Sequence, residues 1–228
     1  MSMFTIILIL LLSYLVGSIP TALIISKKIA GIDIRNYGSG NVGGTNVFRV
    51  IGWKYGLLVI LLDAFKGVIA VVFIARLFFL TDIHFDNPTP FDDFTFVQLL
   101  AGLMAIFGHV FTVFAGFRGG KGMATALGMA VSLMAIDVLI AAAIFILMLI
   151  KFRYVSLGSI SAAIALPIIL FIREKIFHVN IPGYETLIIF SILIALFIVY
   201  THRSNIKRII QGTENKIKRI PLLSKKLD

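Results

Sequence analysis

Long apolar runs alternate with short polar, mostly basic stretches along the chain, and the length of each run decides its reading. A helix that crosses the roughly 30 Å hydrocarbon core of a bilayer needs about 20 mostly apolar residues. Four runs are read as such helices: Phe4–Ile25, Gly56–Leu80, Phe96–Phe114 and Leu157–Ile172. A fifth, from Glu185 or Thr186 to Tyr200, is somewhat short. The block Met123–Ile150 is too long for one straight span and short for two.

The charges between the runs settle that block. Lys and Arg collect in cytoplasmic loops. Lys27, Lys28, Arg35, Arg49 and Lys54 therefore place the first loop inside, and Asp82, Asp86, Asp92 and Asp93, with no Lys or Arg among them, place the next outside. Arg118 and Lys121 return to the inside, as does the tail from Arg203 with Lys207, Arg208, Lys216, Lys218, Arg219, Lys225 and Lys226. An even number of crossings must then separate Lys121 from His202, so 123–150 is read as a helical hairpin turning near Ile136–Asp137. Each arm of about 13 residues would rise only about 20 Å, which requires a thinned bilayer or a buried turn.

The expected fold is an all-α polytopic membrane protein of about seven transmembrane helices, N-terminus outside and C-terminus cytoplasmic. Residues 1–200 would form the bundle, with an active site on its cytoplasmic face, and 201–228 a basic cytoplasmic segment of the same domain. Segments 27–55, 115–123, 151–156 and 201–228 would share that face. The first run lacks the basic start of a cleavable signal, so it is read as a retained helix.

Composition agrees, with hydrophobic residues at 59% of 228 against about 45–50% in soluble domains. The net charge of +10 belongs to inside-positive loops and anionic headgroups rather than to nucleic acid. The lack of cysteine excludes disulfides, thiolate nucleophiles and Cys-ligated metals. His and carboxylates show no ligand spacing, so neither metal nor cofactor is expected.

Candidate chemistry lies in two glycine-rich basic segments. The first, Tyr37 to Arg49, carries Ser39, Gly40, Asn41, Thr45, Asn46 and Arg49. Its Gly38, Gly40 and Gly43 fit a dinucleotide fingerprint in spacing only, because the required βαβ setting is missing. The second, Phe117 to Gly122, sets Gly119, Gly120 and Gly122 around Lys121 at the start of a helix, without the Ser or Thr that a Walker loop needs. Glycine allows backbone N–H groups to converge on an oxyanion, and a nearby cation supplies full charge. Each segment is thus either an anion cradle or a polar loop with an inside-positive cation.

Other polar residues fall near the same face. Asp63 and Lys66, at i and i+3 inside the second span, should pair with one another. His109 ends a span, where it either touches the site or bonds across helices. Arg153 with Ser156 and Ser159, and His202 with Asn205, sit at helix ends, and Glu214 either anchors the tail to a base or stays exposed.

At these residues the chain resembles the bacterial acyl-phosphate:glycerol-3-phosphate acyltransferases of the PlsY family. Three blocks carry the resemblance: Gly38–Arg49, Gly108–Phe111 through Phe117–Thr125, and His202–Arg208 through Gly212–Glu214. Asp63–Gly67 and Arg153–Ser156 fit as well, while Gly44 and Met123 stand where many members have Ala and Val. The resemblance implies transfer of a fatty acyl group from acyl phosphate to the 1-hydroxyl of glycerol 3-phosphate, giving lysophosphatidic acid and phosphate. It also implies a cytosolic partner enzyme that makes the acyl phosphate.

An acyl phosphate is already activated, so no protein nucleophile is required. In this reading Ser39, Arg49, Lys121, His202 and Asn205 are catalytic, and Gly40, Asn41, Thr45, Asn46, Gly119, Gly120 and Gly122 help bind acyl phosphate. Arg153, Ser156 and Ser159, with His202 and Asn205, bind glycerol 3-phosphate, and Asp63, Lys66, His109 and Glu214 support the site. The alternative from another class is a membrane transporter of a phosphorylated solute, because broken helices with Lys or Arg also make anion sites in carriers.

Overall fold

The computed structural model describes residues 3–80, 91–214 and 216, which are predominantly helical. Asp82 and Asp86 of the acidic loop, and Lys218, Arg219, Lys225 and Lys226 of the tail, lie outside the described residues. The helices are α1 (Met3–Gly17), α2 (Thr21–Ala30), α3 (Gly44–Val50), α4 (Trp53–Val68), α5 (Asp93–Val110), α6 (Met123–Phe152), α7 (Val155–Phe171), α8 (Tyr184–Thr201) and α9 (Arg203–Ile210). Wider π-type turns extend α4 over Ile69–Ile74 and α7 over Ile172–Ile176.

Six helical stretches among the described residues are long and apolar enough to cross a membrane: Phe4–Ala30, Trp53–Leu80, Asp93–Ala115, Met123–Phe152, Val155–Ile176 and Tyr184–Thr201. Their outward positions are oily, as at Leu61, Phe73, Leu147 and Leu193, each more than half exposed. In water such surface would be costly, and in lipid it is the ordinary state.

The first and fourth of these stretches are broken within the span. The first parts at Ser18–Pro20, where proline has no N–H to give its helix. Carbonyls freed at membrane depth must find donors within the protein. Thr112 Oγ1 donates to the Ser18 carbonyl, and Lys66 Nζ donates to that of Ile19 at 2.5 Å. The second break falls at Met134 (φ −148°, ψ 58°) inside α6, two residues before the expected turn. Asp137, expected in that turn, is instead 1% exposed and ion-paired with Arg173 at 2.5 Å.

The chain divides into two compact units, Met1–Met134 and Ala135–Asp228. In the first, α1 lies along α5 and α3 along α4. Glycines set the helix spacing, because between membrane helices close backbone approach replaces the hydrophobic drive available in water. A Cβ on Gly17 would collide with the Ala105 carbonyl, and one on Gly128 with that of Ala64. Ile34, Val42, Val47 and Val59 form an apolar cluster that clamps the 33–43 loop and α3 onto α4. In the second unit α7 packs on α8, and Gly158 lies against Phe145.

Gly67 tests the spacing in the first unit, since a Cβ there would lie 2.7 Å from the Met129 nitrogen. Gly67→Ala should destabilise the detergent-solubilised protein by about 1–3 kcal/mol through overpacking, read as a lowered thermal midpoint. An unchanged midpoint would show that this contact relaxes freely.

Candidate active site

One buried side chain organises the first glycine-rich loop. Asn46, 1% exposed at the start of α3, accepts a hydrogen bond from the Ser39 N–H at 2.9 Å. Its amide nitrogen donates to the carbonyls of Tyr37 (2.9 Å), Asn41 (3.1 Å) and Ile34 (3.2 Å). Gly38 and Gly40 turn the loop with φ of 60° and 70°, a conformation that side chains disfavour. Asn46 was expected to orient phosphate, but its polar atoms are committed to the loop that presents Ser39 and Asn41.

The second loop folds back on the end of α5. Gly119 N–H donates to Val110 at 3.0 Å and Gly120 N–H to His109 at 3.1 Å. These two amides are therefore taken, contrary to the expectation that they cradle an anion. Gly120 instead lies against the His109 ring and the Val42 carbonyl, where a Cβ would collide. Gly122, at φ 72°, leads into α6, whose first helical hydrogen bond runs from Ala126 N–H to Gly122 at 2.8 Å. The amides of Met123, Ala124 and Thr125 precede that bond, and a helix leaves such N–H groups open at its positive end.

An open cleft of about 600 Å³ joins the two loops. Ser39, Asn41, Thr45, Arg49, Lys121 and Gly122 form its polar lining with Asn46, and Ile60, Met123 and Leu127 its apolar lining. Asp63 and His109 stand in its wall. Gly40 and Gly119 instead border a separate cleft with Arg35 and Arg118.

Asp63 and Lys66 pair at 2.5 Å, as their spacing predicts. Arg49 and Lys121 are exposed to the cleft, and neither has a carboxylate partner among the described residues. The cleft thus offers two free cations, a bidentate fork and a point charge, beside hydrocarbon.

The second unit carries a cleft of about 420 Å³ lined by Val155, Ser156, Ser159, His202, Asn205, Glu214 and Lys216. Glu214 holds it together. Its Oε1 accepts from Asn205 Nδ2 at 2.8 Å and Ser156 Oγ at 2.9 Å, and its Oε2 from Arg208 Nε at 2.7 Å. Those donors, Asn205 foremost and then Arg208, hold the Glu214 carboxyl below its ordinary pKa. Of the two readings open for Glu214, the anchored one is realised.

His202 Nδ1 lies 2.9 Å from the Ile198 carbonyl, which can only accept, so a proton on this nitrogen completes the bond. Ser159 Oγ donates back to Val155 at 3.1 Å. Arg153, at φ 63° and exposed, does not line the cleft. Its expected place as the cation is taken by Lys216, stacked 5.4 Å from the Tyr154 ring. Lys216 read as one more tail base, and its signal was its position two residues beyond Glu214.

Comparison with known proteins concerns the chain as a whole. The profile of the glycerol-3-phosphate acyltransferase family matches residues 7–212. The curated glycerol-3-phosphate acyltransferase of Chlorobium phaeobacteroides (strain BS1) is 46% identical, with 95% of this chain and 98% of the relative aligned. That of Chlorobium phaeobacteroides (strain DSM 266 / SMG 266 / 2430) is 48% identical over the same shares. Among solved structures, PlsY, an integral membrane glycerol 3-phosphate acyltransferase, is 35% identical in its glycerol 3-phosphate form, with a TM-score of 0.65 over 96% of this chain and 99% of that one. Its lysophosphatidic acid form gives 0.64 at the same identity, over 93% and 95%.

The Glu214 cluster has a pH signature. A carboxylate whose pKa is lowered by folding stabilises the fold above the ordinary carboxylate range, and the contribution is lost as pH falls through the lowered value. Hydrogen exchange of α9 amides should therefore show protection that declines on acidification in the wild type. Glu214→Gln, which cannot pair with Arg208 as an anion, should be less protected at neutral pH and nearly flat with pH. Equal protection at neutral pH would remove Glu214 as the anchor.

Proposed function

Because the chain belongs to the PlsY family of glycerol-3-phosphate acyltransferases, we propose that it takes its acyl group from acyl phosphate. The 1-hydroxyl of glycerol 3-phosphate receives it, giving lysophosphatidic acid and inorganic phosphate. The observation that carries this reading is the first cleft, where Arg49 and Lys121 stand unneutralised beside an apolar lining of Ile60, Met123 and Leu127. A donor with a phosphate on one end and a fatty chain on the other suits both linings.

In this mechanism Arg49 and Lys121 bind the phosphate of the donor, with Ser39, Asn41 and Thr45 as neutral partners. Ser156, Ser159, His202, Asn205 and Lys216 bind glycerol 3-phosphate. The glycerol hydroxyl oxygen attacks the acyl carbonyl carbon, and the bond from that carbon to the phosphate oxygen breaks. Its electron pair leaves with phosphate, which also takes up the hydroxyl proton. Catalysis comes from placement and from cationic stabilisation of the charge that develops on the carbonyl and leaving oxygens. No serine or cysteine ester is formed.

The proposal keeps seven crossings, counting Met123–Phe152 as two, with the N-terminus outside and the chemistry at the cytoplasmic face of a bacterial inner membrane. Residues 201–228 belong to the same catalytic domain as 1–200, and a cytosolic enzyme supplies the acyl phosphate.

Purified protein given acyl phosphate and glycerol 3-phosphate should form acyl ester with one phosphate released per ester. Arg49→Ala and Lys121→Ala should each lower turnover by about a hundredfold or more with folding intact. Near-normal rates in either variant would refute the donor assignment. Solute flux into vesicles without ester formation would favour a transporter.

A further inference from the structure

Four polar side chains meet inside the first unit, and simple charge neutralisation does not account for all of them. Lys66 Nζ lies 2.5 Å from Asp63 Oδ1 and 3.3 Å from Thr21 Oγ1. Thr21 Oγ1 donates to the same Asp63 oxygen at 2.5 Å. Both ions are buried, with side chains 5% and 2% exposed, so each requires the other. Neutrality needs nothing further, yet the pair also engages the α1–α2 break through Ile19 and Thr21, and α5 through His109, whose Nδ1 stands 3.5 Å from Asp63 Oδ1.

His109 passes this anchorage to the second glycine loop. Its carbonyl accepts the Gly120 N–H at 3.1 Å. Its ring Nε2 occupies the place where a Cβ of residue 120 would sit. The residue before Lys121 is therefore gripped twice by His109, once through the backbone and once through the ring. The ring in turn is flanked at its other nitrogen by a carboxylate that Lys66 and Thr21 hold still. A fixed ring leaves the turn one position, and that position sets where the Lys121 side chain enters the cleft.

We propose that His109, braced by the buried Asp63–Lys66 pair, is a positioning residue that sets Lys121 at the donor phosphate. It acts through Lys121 and carries no proton in the reaction. The inference rests on the assignment of Lys121 to the donor phosphate, and its test separates the two.

The test compares steady-state kinetics of the wild type with Lys121→Ala, His109→Ala, His109→Asn and Gly120→Ala, all in detergent with thermal midpoints recorded. A displaced lysine weakens donor binding, so His109→Ala should raise KM for acyl phosphate about tenfold or more. The KM for glycerol 3-phosphate should move far less. Gly120→Ala, which pushes on the same ring from the other side, should give the same asymmetric change and serves if His109→Ala does not fold.

His109→Asn keeps a nitrogen donor near Asp63 and should restore the donor KM to within about threefold of wild type. A wild-type donor KM in both His109→Ala and Gly120→Ala, with Lys121→Ala inactive, would overturn the inference alone. His109→Asn losing turnover as fully as His109→Ala, at unchanged KM, would make His109 a proton carrier and also overturn it. A wild-type rate in Lys121→Ala would remove the donor assignment itself.

Discussion

An unneutralised cation beside hydrocarbon is the constraint around which this molecule is organised. Charges at membrane depth are costly unless paired, and the interior obeys that rule closely. Asp63 is matched by Lys66 and Asp137 by Arg173, while Glu214 near the surface is matched by Arg208. Arg49 and Lys121 break the rule together in one cleft. A cleft that keeps two positive groups free, while the buried charges Asp63 and Asp137 are paired, is suited to a ligand that brings its own negative charge.

The glycines serve that cleft differently from a nucleotide-binding loop. Gly119 and Gly120 do not lend their amides to an anion, because the end of α5 has claimed them. Their value is the missing Cβ, which lets the chain just before Lys121 lie close against His109 and Val42. The first loop has a similar logic, since Asn46 fastens three carbonyls and one amide so that its neighbours can face outward. The second cleft repeats the device with Glu214 in place of Asn46, tying Ser156 of α7 to Asn205 of α9. Two hydrogen-bonded hubs thus hold the polar linings of the two clefts in place.

Much of this was legible in the order of residues, where one-dimensional patterns suffice. Apolar runs marked the membrane helices to within a few residues, as with Phe96–Phe114 against the observed Asp93–Ala115. Asp63 and Lys66 announced their pairing by i, i+3 spacing. Breaks were harder, because they depend on what satisfies the freed backbone. Pro20 was the visible signal within the first span, but its consequence required Thr112 and Lys66, far along the chain. Asp137 read as a turn residue since its partner Arg173 is 36 positions away. Asn46 and Lys216 took roles that only the folded geometry shows, one drawn inward by carbonyls of its own preceding loop and the other placed beside a ring.

The most direct measurement uses the absence of native cysteine. Arg49→Cys and Lys121→Cys, made singly in sealed membrane vesicles of known orientation, are exposed to a membrane-impermeant maleimide with and without acyl phosphate. The account predicts labelling of both positions from the same face, with acyl phosphate slowing it at both. Labelling of the two from opposite faces would contradict it, because a single cleft could not then hold both cations against one phosphate.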